Sequence, residues 1–299
     1  MNYDLIISVS TYKSNERMVA FLDSLQYLHG KILVIVTAMS GEPIGDICEA
    51  ISRVKAADVM LFVSSDHRLY FCINWAYLFC NHNGIRARYF NYMPDGMVFL
   101  KGISENTIEL LDETEKIVPN CITVFPDDDN GTCCDGESRI DGIKVNPHWI
   151  NSEQFIKWEL IERFGLFDMV GTAMNPFYSD MELVHRMRYM SGLPYVANVN
   201  PEKQFHYNHR QNHDHIVEFR NRNYIERMDQ GARLWRDKYG LSYSFENSES
   251  WIHLWNEFSN GTHDEQMKRH LLYNGLWLDF ESMYLMSVPA ISLVMDDIQ

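Results

Sequence analysis

The residues best placed to do chemistry are carboxylates that follow a strand-like run or open a helix-like one. Asp95 sits in Met93-Pro94-Asp95-Gly96, directly after the run RARYFNY. An acid at the C-terminal end of a strand in a parallel sheet sits where such sheets bind ligands. Pro-Asp-Gly is equally strong turn chemistry, so the same residues read as a plain chain reversal. Asp180 sits in the stretch FYSDMELVHRMRYMSG, residues 177–192. Ser179 and Glu182 have the spacing of a capping box, and Leu183, Val184, Met187 and Met190 form an apolar stripe. Glu182 and Arg186 make an i,i+4 pair, and Asp180 complements the positive helix start. That is a capped, anchored helix. It is also a rigid mount for a general base, because one carboxylate within reach of a hydroxyl can take its proton.

Other clusters point less sharply. HYNHRQNHDH (206–215) places His209 and His213 at i,i+4 spacing but lacks the glutamate of a zinc helix, and no cysteine is near. It reads as a solvated polar loop, as does Asp127-Asp128-Asp129 followed by NGTCCDG. The cysteines at 48, 72, 80, 121, 133 and 134 show no paired spacing, which predicts reduced thiols and a cytoplasmic setting. The start MNYDLIISVSTY carries an acid and only a short apolar run, unlike a secretory signal.

The elements that must hold these residues alternate. DLIISVS, KILVIVTA and DVMLFVSS are strand-like, and RMVAFLDSLQYL and ICEAISRV have helical apolar spacing. A further helix, YFCINWAYLFCNHNG, ends at Gly84 and precedes the strand that runs into Asp95. This order predicts an α/β fold whose central sheet is mostly parallel and flanked by helices. Neither GxGxxG nor GxxxxGK[ST] occurs, so the dinucleotide and P-loop classes are excluded. Beyond about residue 215 the pattern turns helical and aromatic-rich, giving a division into 1–215 and a helical C-terminal extension, 216–299. With 26 Lys+Arg against 41 Asp+Glu, the formal charge of -15 disfavours long-range attraction to nucleic acid or anionic membranes. No apolar run reaches the roughly 20 residues of a membrane span.

The order of motifs resembles the GT-A glycosyltransferases, most nearly the large inverting family with rhamnosyl- and glucosyltransferases. Thr11-Tyr12-Lys13 ends the first strand where that family has a Thr-Tyr-Asn-like turn. Met93-Pro94-Asp95 stands for its Asp-x-Asp or Asn-Pro-Asp element. FIKWELIERFGLFD is similar to the helix leading into Gly-Gly-Phe-Asp. Phe177-Tyr178-Ser179-Asp180-Met181-Glu182-Leu183 stands for its aromatic-Glu-Asp-x-Asp-Leu, with Ser179 replacing the glutamate. Arg186, Arg188, Gly192, then His206 or His209, then DQGARLWRDKYG follow in the family's order.

The resemblance implies a Rossmann-like GT-A domain. It also implies a UDP-, dTDP- or GDP-sugar donor contacted by Thr11, Tyr12, Ser40, Asp66 and Asn74. A Mn²⁺ or Mg²⁺ ion on Asp95, with His206 as a second contact, and Asp180 as the inverting base follow from it as well. A saccharide-like acceptor is the leading expectation. A modified nucleic-acid base is the alternative, supported only by the arginines of 220–238, and a non-catalytic nucleotide- or sugar-binding module is the other. The C-terminal helices are expected to brace the domain or to form a homo-oligomer contact.

Overall fold

The computed structural model describes residues 2–11, 14–65, 69–125, 139–146, 154–167, 183, 186–187, 196–198, 205–207, 233, 265 and 291–293. The strand-like runs become β1 (Asn2–Thr11), β2 (Ile32–Met39), β3 (Asp58–Ser64) and β4 (Arg86–Pro94). Between them lie α1 (Asn15–Ser24), α2 (Gly45–Arg53) and α3 (Leu69–His82). The chain then forms β5 (Met97–Phe99), α4 (Thr107–Ile117), β6 (Ile122–Val124), β7 (Arg139–Ile140) and β8 (Ile143–Asn146). Next come β9 (Gln154–Lys157), α5 (Trp158–Phe164), β10 (Val196–Asn198), β11 (Phe205–Tyr207) and β12 (Ile291–Leu293).

Among the described residues one sheet has the order β12-β3-β2-β1-β4-β9-β6-β10-β8-β7. Its centre, β3-β2-β1-β4, is parallel, with Ile7 opposite Val34 and Asn91, and Val36 opposite Leu61. Strands buried on both faces need no polar alternation, which is why KILVIVTA reads as unbroken apolar sequence. On one face, Met18, Phe21 and Leu22 of α1, Ile47 of α2 and Leu111 of α4 pack on Leu5, Ile7, Val34 and Val36. On the other, Ile73, Ala76 and Tyr77 of α3 and Trp158 and Ile161 of α5 pack on Ile6, Leu33, Ile35 and Phe90. α3 is apolar almost all round because it lies within this second layer. Just past its end, Gly84 has φ +64, the left-handed value that a glycine stop accommodates.

The helical reading of the C-terminal extension needs one addition. Ile291–Leu293 pairs antiparallel with β3, Ile291 facing Ser64. β-branched and leucine side chains suit a strand, and the pairing covers what would otherwise be an open edge of the parallel sheet. Among the described residues, the cysteines at 48, 72, 80 and 121 are free, and no helix is long and apolar enough to cross a membrane.

Candidate functional site

The chain runs outward from β1 to β2 to β3 with α1 and α2 on one face. It then crosses to the opposite side of β1 through α3 on the other face. The order therefore reverses between β1 and β4. At such a switch point the connections diverge and leave a crevice beyond the strand C-termini, where open α/β sheets bind ligands. Thr11 ends β1 and Asp95 follows β4, and Ser10 is in register with Pro94. The tertiary structure thus brings together two site residues that lie far apart in sequence.

Asp95 occupies the turn between β4 and β5, partly exposed yet crowded by protein atoms. That burial pushes its carboxyl up to about 6, against the opposing influence of Thr11, Arg17 and Ser14. Ser14 precedes α1, makes no side-chain cap bond to the helix, and lies close enough to Asp95 to favour its charged form. Thr11 Oγ1 lies close enough to favour the charged carboxyl, although not in hydrogen-bond geometry. Asn15 Nδ2 donates to Pro43 O at 2.5 Å, tying the start of α1 to the loop after β2. Ser40, exposed at the end of β2, is held by its backbone N–H to Ser64 O at 2.7 Å.

This arrangement fits one carboxylate ligand of a hard divalent cation. Mg²⁺ in particular is held by one or two carboxylates together with substrate phosphates rather than by a full protein cage. A carboxylate whose charge is penalised by burial gains from a cation beside it. Among the described residues no group of three His, Cys, Asp or Glu could hold a metal by itself. The backbone of His206 enters this neighbourhood through β11, which pairs antiparallel with β5 and sets His206 opposite Val98.

Asn74 takes a different place from the donor contact expected of it. It is fully buried in α3, where its Nδ2 donates to Phe167 O at 2.6 Å and its Oδ1 accepts from Phe167 N at 3.0 Å. Phe167 in turn packs on Tyr70 and Tyr92, with ring centroids 4.3 and 5.0 Å away. Arg186, expected to pair with Glu182, is 1% exposed. Its Nη1 donates to Phe164 O and its Nη2 to Leu166 O. Leu183 and Met187 are buried beside it, as the apolar stripe predicts.

Ser14, Arg17 and the burial of Arg186 escape a reading of motifs alone. The signal for Arg186 is its spacing, three residues after Leu183 and therefore on the apolar face. Tyr12, Asp66, Asp180, Glu182, Asp127-Asp128-Asp129 and His209 lie outside the described residues, as do Val184 and Met190.

No protein-family model and no curated protein matches the chain. Solved structures do. Residues 1–349 of Staphylococcus aureus TarS in complex with UDP align with TM-score 0.54 at 10% identity, covering 96% of this chain and 81% of that one. The same protein with UDP-GlcNAc aligns with TM-score 0.52, again at 10% identity, over 95% and 79%. The mannosyltransferase PcManGT from Pyrobaculum calidifontis, in complex with GDP-Man and Mn²⁺, aligns with TM-score 0.55 at 12% identity, over 96% and 85%. The fold is that of these glycosyltransferases, the GT-A fold expected from the motif order.

Proposed function

We propose that the chain transfers a sugar from a nucleotide-sugar donor to a hydroxyl acceptor, inverting the anomeric centre. The observation that carries this reading is Asp95 beside Thr11 at the β1/β4 switch point of a GT-A sheet. Solved structures with the same fold hold UDP, UDP-GlcNAc, or GDP-Man with Mn²⁺, which supports a donor of this class.

In this reading the ends of β1, β2 and β3 receive the nucleotide, with Thr11, Tyr12, Ser40 and Asp66 as its contacts. Asp95, with His206, holds a Mn²⁺ or Mg²⁺ ion, which neutralises the diphosphate as it leaves. Arg17 adds a fixed positive charge near the same carboxylate. Asp180 accepts the acceptor hydroxyl's proton while that oxygen attacks the anomeric carbon from the face opposite the diphosphate. One displacement forms the new glycosidic bond and breaks the bond to the nucleoside diphosphate.

A saccharide-like acceptor fits the acidic chain better than a nucleic acid. Residues 216–299 would brace the catalytic domain or mediate a homo-oligomer, and the reduced thiols suit the cytoplasm.

The test is a panel of UDP-, dTDP- and GDP-sugars with Mn²⁺ or Mg²⁺, read by thermal shift and donor hydrolysis. One donor should stabilise the protein in a metal-dependent way. Stabilisation by none of them, with either metal, would sink the transferase reading.

A further inference from the structure

We propose that Asn74 and Arg186 act as a pair of positioning residues that lock residues 164–167 and so hold the segment that packs on the Asp95 strand. The consequence for catalysis rests on the transferase reading; the lock itself rests on hydrogen bonds in the structure.

The locked segment follows α5, and its backbone groups are engaged one after another. Gly165 N donates to Ile161 O at 2.8 Å, closing the last turn of α5, and Gly165 has φ +77. The remaining carbonyls at a helix end need outside partners. Arg186 supplies them at Phe164 O and Leu166 O, two residues apart. Asn74 then takes both the N–H and the C=O of Phe167. One side chain comes from α3 and the other is that of Arg186, far apart in sequence.

A buried arginine is a poor choice for stability alone, because burying a guanidinium costs desolvation that a well-packed apolar residue avoids. Its position lowers that cost, since α5 ends in partial negative charge. What an apolar residue cannot do is fix direction. The guanidinium is a planar fork that meets two acceptors at once, so it sets Arg186 at one height along the 164–167 backbone. The same segment is fixed to β4, because the Phe167 ring packs on Tyr92, three residues before Asp95. The contacts therefore run from Asp95 along β4 to Phe167, back to Phe164 and across Arg186. They end on the sequence stretch that holds Asp180 six residues earlier.

The experiment compares Arg186→Met and Arg186→Lys with wild type in hydrogen exchange, donor binding and turnover per folded molecule. In Arg186→Met the Phe167 amide should exchange about tenfold faster or more, while the amides of β1–β4 keep their protection. Donor KM should stay within about threefold and kcat should fall about a hundredfold, the cost of an ångström-scale misplacement. Arg186→Lys should keep the charge but recover only part of kcat, because an ammonium lacks the fork. Asn74→Asp loosens Phe167 from the other side, since a carboxylate cannot donate to its carbonyl, and should give the same split if Arg186→Met does not fold. Unchanged exchange at Phe167, or unchanged kcat per folded molecule, overturns the proposal. A wild type that binds no nucleotide sugar overturns the transferase reading, and the exchange result then still decides the lock.

Discussion

Two charged groups of the molecule are held by opposite means. At the β1/β4 end a carboxylate lies near two hydroxyls and an arginine that favour its charge, close to solvent. At the other end an arginine is fixed by carbonyls inside the core. The first device leaves the Asp95 carboxyl reactive, because its surroundings do not fully offset the desolvation of its charge. The second leaves no freedom, because every backbone partner is already chosen.

The sharpest break in that comparison is Asp180→Asn. If the rigid end serves to present a base, kcat should drop by about 10²- to 10⁴-fold with donor binding retained. Transfer at the wild-type rate would remove the base from this residue. Next in size is the frame itself. Arg186→Met leaves two buried carbonyls without donors and should cost about 2–5 kcal/mol of stability, measured by urea unfolding.

The reactive end should behave with the opposite sign. Folding raises the Asp95 carboxyl from its ordinary 3.8 to about 6, so the folded state holds its proton more tightly than the unfolded chain. The associated stability is present below pH 4, is lost as pH rises towards 6, and stays lost above it. Asp95→Asn should therefore stabilise the chelator-treated protein by about 3 kcal/mol at pH 8 and change little near pH 4. The same variant should weaken the metal-dependent part of donor binding. Smallest of all is an arginine at the surface. Arg53 pairs with Asp23 at 3.2 Å and Glu49 at 3.1 Å while about half exposed, and Arg53→Ala should cost less than about 1 kcal/mol in the same unfolding assay. A cost equal to that of Arg186→Met would erase the distinction between a screened pair and a buried lock.

How legible each region was follows from the kind of signal it carries. β1 to β4 and α1 to α3 show in the sequence because period and burial are local properties. KILVIVTA can hardly be anything but a buried strand, and Gly84 marks the end of its helix. Asp95 was legible for the same reason, as an acid at the end of such a strand. Its partners were not. Only the approach of β4 to the end of β1 brings Thr11, Ser14 and Arg17 near that carboxylate. Asn74 gave the least warning, since nothing local separates an asparagine that meets a ligand from one that clamps a backbone 93 positions away. Ile291–Leu293 was hidden in another way. A short apolar run carries no period of its own, and pairing with the free edge of β3 decides its state.

The sequence by itself determined the order of strands and helices, the apolar stripe of Leu183 and Met187, and the acid that follows β4. All of these are set by side-chain type and spacing within a few residues. Only the tertiary structure decided that the chain reverses between β1 and β4, which is what brings Thr11 and Asp95 together. It alone decided that Arg186 faces inward, because the carbonyls that accept its protons become neighbours only when the end of α5 and Arg186 pack together. Hydrogen bonds between distant segments are chosen by folding, and local pattern does not record them.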